Sequence, residues 1–257
     1  MTRLPDRRML LGAAAAGALS LGLPARAQGR TLTISAAASL THVFRELAPT
    51  FEAAHPGIAL RFNFAASGVL LQQIRQGAPV DVFASADQET MARGIAESLL
   101  DGGSRRDFAS NTVVLVTPAQ DGPALARVED LSRTDVRRIA IGKLETVPVG
   151  RYTKQGLEAA RLWTLLEPRF VYGDSVRQVL DYVARGEAEA GFVYRTDAAI
   201  LQDKVRIVAP LAGHAPARYP AAVVADSRHK AAAQAFVAFL LSAAAQETLG
   251  RFGFGKP

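Results

Sequence analysis

The chain has 257 residues, a formal net charge of +6, no cysteine, and 49% apolar against 21% charged residues. That composition is ordinary for a globular protein and long enough for one large domain or two small ones. With no cysteine, a disulfide framework is excluded and no lipid-anchor cysteine is present.

The basic balance is concentrated at the start. In MTRLPDRRMLLGAAAAGALSLGLPARAQG, Arg3, Arg7, Arg8 and Arg26 against Asp6 account for +3 of the net charge, leaving +3 for the remainder. A short basic segment, an uncharged run from Met9 to Pro24 and the triplet Ala25-Arg26-Ala27 have the layout of a signal peptide cut after Ala27. Arg7-Arg8 before Met9-Leu10-Leu11 resembles a twin-arginine export signal. The run is too short and too rich in Ala and Gly for a spanning helix. Residues 1–27 are therefore expected to be a signal peptide, and the mature chain to be soluble in a bacterial periplasm. Arg105-Arg106 and Arg137-Arg138 are isolated pairs without aromatic interleaving, read as solvated surface, so no nucleic-acid partner is expected.

From Thr31 the chain alternates strand-like and helix-like segments. Thr31 to Ser35 alternates polar and apolar residues, and after Ser39 the residues Leu40, Val43, Phe44 and Leu47 recur at helical spacing, with Pro49 expected to end or kink that helix. GIALRFNFA is a strand with Ile58, Leu60, Phe62 and Phe64 on one face; Ser67-Gly68 opens a helix stopped by Gly77 and Pro79. VDVFASAD is a short buried strand with Asp87 as the cap of the next helix. Further strands are expected at 112–118, 137–142, 169–173, 190–194 and 220–225. DSVRQVLDYVARG carries Val176, Val179, Leu180 and Val183 on one stripe, and a last helix is expected over Lys230 to Leu249. The alternation predicts an α/β architecture with mainly parallel sheets, and the absence of a low-complexity linker predicts tight crossovers between any two domains.

One junction recurs: a strand end, small or turn-forming residues, a serine, then an amphipathic helix, at Ala38-Ser39, Ala66-Ser67-Gly68 and Gly173-Asp174-Ser175-Val176. Ligands of open α/β sheets sit at the carboxyl ends of strands, where the first turns of the following helices aim unpaired N–H groups. Several such starts converging make an anion site without Lys or Arg. Each serine taken singly reads first as a helix cap. Pro148-Val149-Gly150 opens another helix, and Tyr194 ends a strand with a phenol donor, although a core tyrosine is the commoner reading. No G-x-S-x-G, Walker-type or G-x-G-x-x-G motif accompanies these residues. His42, His55, His214 and His229 lack metal-ligand spacing.

Taken in order, AAASL (36–40), FAASGVLLQQIRQGAPVDVFASAD (64–87), ETVPVGRYTKQGLE (145–158), DSVRQVL (174–180), GFVYRTDA (191–198), YPAAVV (219–224) and the closing GRFGF resemble the periplasmic molybdate-binding proteins of ABC importers. The resemblance implies a type II periplasmic binding protein fold, two Rossmann-like lobes joined by a hinge. Lobe 1 would be 30–111 plus 217–257, and lobe 2 would be 112–216. It implies a monomer that binds molybdate, and tungstate, as transported ligand without catalysis or cofactor, and delivers it to an importer permease. The implied contacts are the Ser39 and Ser67 hydroxyls and backbone, the Val149 and Val176 backbone N–H groups and the Tyr194 hydroxyl, with no direct protein ligand to molybdenum. Two departures stand out: Val149 replaces the alanine of many relatives, and Gly68 the serine of some. A donor-only site suits a fully deprotonated dianion, whereas Asp174, close in sequence, would bring an acceptor that suits phosphate. Alternatives are a sulfate, phosphate or iron(III) binder, an exported hydrolase using Ser67, and a ligand-sensing regulator.

Overall fold

The computed structural model describes residues 29–257, so the expected signal peptide lies outside the described residues. The chain runs β1 (Arg30–Ala37), α1 (Thr41–Ala54), β2 (Ile58–Ala65), α2 (Ser67–Arg75), β3 (Val82–Ala84), α3 (Gln88–Ala96) and β4 (Arg106–Asn111). It continues through β5 (Val113–Pro118), β6 (Ile139–Gly142), α4 (Pro148–Ala159), α5 (Trp163–Leu166), β7 (Phe170–Gly173), α6 (Val176–Ala184), β8 (Ala190–Tyr194), α7 (Arg195–Ile200) and β9 (Val205–Pro210). It ends with β10 (Ala217–Val223), α8 (Lys230–Phe239) and α9 (Ala243–Arg251). Among the described residues no single helix is long and apolar enough to cross a membrane.

The strands form two five-stranded sheets, ordered β2-β1-β3-β10-β4 and β7-β6-β8-β5-β9. The first draws on both ends of the described chain, the second on its middle. In the first, β1 pairs in parallel with β2 and β3, while β10 runs antiparallel to β3 and β4. The second repeats the pattern, with β6 parallel to β7 and β8 and β5 antiparallel to β8 and β9. The expectation of mainly parallel sheets is therefore corrected: one reversed strand in each sheet makes half of the pairings antiparallel. That strand carries the chain into or out of its sheet. β5 follows β4 with only Thr112 between them and enters the second sheet; β10 returns to the first.

Each layer follows from its residues. α1 buries Val43, Phe44, Leu47 and Phe51, as its 3.6-residue spacing requires. It does not end at Pro49 but runs on to Ala54. The reason is tertiary: Phe51 is buried beyond the proline, its ring 5.2 Å from Phe236 and 5.4 Å from Phe239. The expected last helix is two, α8 and α9, bent by 58° at a break where the Ser242 side chain accepts from the Ala245 N–H. Phe44 lies at the centre of the first lobe, with Phe62, Phe108 and Phe236 rings all within 6.0 Å. Phe44→Ala is expected to destabilise the fold by about 3–5 kcal/mol through lost burial and the cavity left behind. Urea unfolding of the mature chain measures it, and a loss below about 1 kcal/mol would place Phe44 outside the energetic core.

Candidate functional site

The carboxyl ends of the central strands of both sheets face each other across a cleft. At its base a cavity of about 210 Å³, mouth included, is lined by residues of both lobes. Ser39, Ser67, Val149, Val176 and Tyr194 all belong to that lining, so the structure places these five residues around one cavity, while Ser175 and Asp174 lie outside it. Ala37, Ala38, Ala65, Ala66 and Ala86 form much of the rest, and their small side chains are what leaves the space open. Among the described residues no carboxylate lines it. Asp174 is turned away, its side chain 70% exposed and paired with Lys143.

Two of the three junction serines are not caps. Ser39 lies inside a short 3-10 turn, Ala38–Leu40, and α1 starts after Leu40 without a side-chain cap. Its Oγ is buried 3.1 Å from the Tyr219 hydroxyl. Ser67 is the first residue of α2, and its Oγ accepts the Ala86 N–H at 3.1 Å. Only Ser175 caps, accepting from the Gln178 N–H at 3.3 Å. With an N–H already on its oxygen, Ser67 has its own proton to donate into the cavity.

Ser39 is oriented by a relay that the sequence reading missed. Asn111 Nδ2 donates to Thr196 Oγ1 at 2.8 Å and lies 3.3 Å from the Tyr219 oxygen. A donor on that oxygen turns the phenol proton toward Ser39, which frees the Ser39 proton for the cavity. Burial pushes the Tyr219 hydroxyl well above the usual phenol range, so it stays a donor. Tyr219 stood in a quoted motif, YPAAVV, but carried no sequence signal for a polar role. Tyr219→Phe is expected to weaken ligand binding by about tenfold through loss of this one hydrogen bond. Calorimetry measures it, and unchanged affinity would remove the relay.

Tyr194 is 1% exposed, and its hydroxyl reaches across the cleft to the Ala86 carbonyl at 3.4 Å. Burial raises its pKa well above the usual value, so it too remains a protonated donor. Val149 and Val176 are the second and first residues of α4 and α6, where N–H groups have no partner within the helix. The first turn of α4 is set against β6: a Cβ on Gly150 would stand 2.1 Å from the Gly142 carbonyl oxygen.

Besides the Tyr194–Ala86 and Asn111–Thr196 hydrogen bonds, three further contacts bridge the lobes around the cavity. The Gly68 N–H donates to the Thr146 carbonyl at 2.9 Å, and a Cβ on Gly68 would meet Thr146 Cα at 2.7 Å. What looked like a missing hydroxyl is thus the condition for close approach. Gly68→Ala is expected to hold the lobes apart and weaken binding at least about tenfold, because the clash is with backbone. Calorimetry and small-angle scattering of the liganded form check it; wild-type affinity and compactness would refute it. On the same side Arg151 of α4 pairs with Asp87, Nε at 3.1 Å, and donates to Thr90 Oγ1 at 2.8 Å. On the other side Arg177 Nε reaches the Ala38 carbonyl at 3.4 Å.

A larger hollow of about 1220 Å³ surrounds Asp81, Ser227 and His229, but one lobe alone lines it. Asp81 there already accepts from the Thr33 N–H at 2.8 Å and from Ser227 Oγ at 2.7 Å. Among the described residues no group of His, Cys, Asp and Glu has the arrangement of a metal site.

The chain has the two-lobed fold of type II periplasmic binding proteins. The periplasmic molybdate-binding protein of Azotobacter vinelandii superposes with a TM-score of 0.76 at 26% identity, covering 88% of this chain and 99% of that one. The sulfate-binding protein SubI of Mycobacterium tuberculosis shares the fold at 20% identity, with a TM-score of 0.77 over 88% of this chain and 86% of its own. In sequence, the molybdate-binding protein ModA of Escherichia coli is 34% identical over 229 residues, 87% of this chain and 88% of the relative. Residues 32–255 match the bacterial extracellular solute-binding protein family, and the chain belongs to it.

Proposed function

We propose that this protein captures molybdate, and tungstate, outside the cytoplasm and delivers it to the membrane permease of an ABC importer. Ser39, Ser67 and Tyr194 donate through their hydroxyls, and Val149 and Val176 through their backbone N–H groups. The observation that carries this reading is the convergence of these donors, from both lobes, on one small cavity with no carboxylate in its lining. A fully deprotonated tetrahedral dianion only accepts hydrogen bonds, so a lining with several donors and no carboxylate suits it. Hydrogen phosphate would bring a proton for which the lining offers no carboxylate acceptor. Sulfate matches in chemistry but is smaller, so discrimination against it rests on the size of the closed cavity.

The task is binding rather than turnover. Ser67 Oγ takes a backbone N–H instead of facing a histidine base, which argues against a nucleophile. Lobe 1 is 30–111 plus 217–257 and lobe 2 is 112–216, hinged at the two crossovers. The ligand favours closure because only the closed form offers donors from both lobes. The protein acts as a periplasmic monomer after removal of residues 1–27. Calorimetric titration of the anion-free mature chain with molybdate, tungstate, sulfate and phosphate tests the reading. Tight one-to-one binding of the first two with silence from the others is expected. Binding of sulfate or phosphate instead would overturn the substrate, and silence from all four would overturn the site.

A further inference from the structure

Asp197 is the group that the donor-only cavity does not use. It sits in the first turn of α7, whose N-cap is Tyr194, and its side chain is completely buried. Neither carboxylate oxygen has a hydrogen bond of good geometry. Among the described residues its one charged neighbour is Arg177, with Nη2 3.3 Å from Oδ1, and the same guanidinium extends through Nε to the Ala38 carbonyl of the opposite lobe. Asp197 is thus tied to two residues of the lining, to Tyr194 as the cap of its helix and to Ala38 through Arg177. Its charge acts on both phenols of the site, Tyr194 in the lining and Tyr219 bonded to Ser39.

We propose that Asp197 couples anion capture to proton uptake: closure on a dianion converts this carboxylate to its neutral acid, with the proton drawn from solvent. The inference rests on the oxyanion reading above. Two negative charges arriving beside a buried carboxylate in a low-dielectric cleft favour its neutral form, as like charges sharing a site do. Protonation also removes the one counter-charge that Arg177 has among the described residues, so its positive charge is no longer offset near Ala38 of the lining. The free protein is poised for this, because burial pushes Asp197 up to about 6 against the opposing pull of Arg177 and the Tyr194 backbone N–H.

The groups that face this pair are few. Arg177 comes from α6, Tyr194 from β8 and Tyr219 from β10. Arg206 of β9 is engaged elsewhere, by Thr117 Oγ1 and the Leu125 and Pro123 carbonyls, and β5 carries no ionisable side chain. His42 of α1 is the other titrating group near Arg177, held below the usual imidazole value by desolvation and by Arg177 and Arg45. It is the rival site of any proton uptake.

The test is calorimetric titration of the mature chain with sodium molybdate between about pH 6 and pH 8, in buffers of different ionisation enthalpy. Over this range molybdate itself remains a dianion. The wild type is expected to take up a proton on binding, with affinity falling up to about tenfold per pH unit as pH rises above the free value of the carboxyl. Asp197→Asn should bind without proton uptake or pH dependence, at least as tightly as wild type at the alkaline end. His42→Gln should keep the uptake. Wild-type binding with no proton exchanged, or uptake that survives Asp197→Asn or vanishes in His42→Gln, overturns the inference alone. If Asp197→Asn does not fold, the buffer series on wild type and His42→Gln still decides. Absence of any anion binding overturns the oxyanion reading and this inference with it.

Discussion

Replacing Ser39 and Ser67 together by alanine is expected to raise the Kd for molybdate by about two to four orders of magnitude. Hydrogen bonds to a charged partner contribute about 1.5–3 kcal/mol each, and two are removed from a site whose other donors stay in place. The two serines come from different strand-to-helix junctions of one lobe, so their loss leaves the donors of the other lobe untouched. Stability should fall as well, because Ala86 loses the partner of a buried N–H and Tyr219 loses that of its hydroxyl. About 1–3 kcal/mol per orphaned group is expected in urea unfolding. Titration of the double variant with molybdate, supported by its unfolding curve, separates the two effects. A folded double variant that still binds within a fewfold of wild type would remove both hydroxyls from the site.

Arg151→Ala is expected to raise Kd by about tenfold to a hundredfold, almost entirely through faster release, since breaking one side of a buried ion pair costs about 3–5 kcal/mol, only part of which bears on closure. The pair joins lobes: Arg151 belongs to α4 beside Val149, and Asp87 caps α3 in the other lobe. Their side chains are only 13% and 4% exposed, so water does not replace the lost partner well. Asp87 keeps its bond from the Thr90 N–H at 3.1 Å, and α3 should remain capped. Stopped-flow release of molybdate measures the effect. Asp87→Asn in the Arg151→Ala background should recover part of the loss, because it removes the unpaired charge. A release rate equal to wild type would reduce the pair to a surface contact that happens to cross the cleft.

Much of the first lobe was legible from periodicity. Val43, Phe44 and Leu47 face the core as their spacing demands, and Asp87 accepts from the Thr90 N–H as a cap should. β4 and β9 were not seen. RDFASN buries only Phe108 and Ala109, and VRIVAP is exposed or half-buried over most of its length, so neither shows a strong period-2 pattern. Strand direction was equally hidden, since an antiparallel β10 and a parallel one share the same alternation. Pro49 misled because local backbone rules take no account of Phe51 packing on two aromatic rings from α8.

The sequence by itself determined where strands end in small residues and helices open with hydroxyls and free N–H groups, in an order that resembles one family of binding proteins. It could do so because those features are local, a strand end and a first helical turn within a few residues of each other. Only the tertiary structure decided that Ser39 and Ser67 are not caps, that Asp174 points away, and that Gly68 must lack a Cβ. It alone joined Asn111 to Tyr219, Arg151 to Asp87 and Arg177 to Asp197. Those pairs are separated by 108, 64 and 20 positions in the chain, and their chemistry depends on burial and distance, which no local pattern of residues encodes.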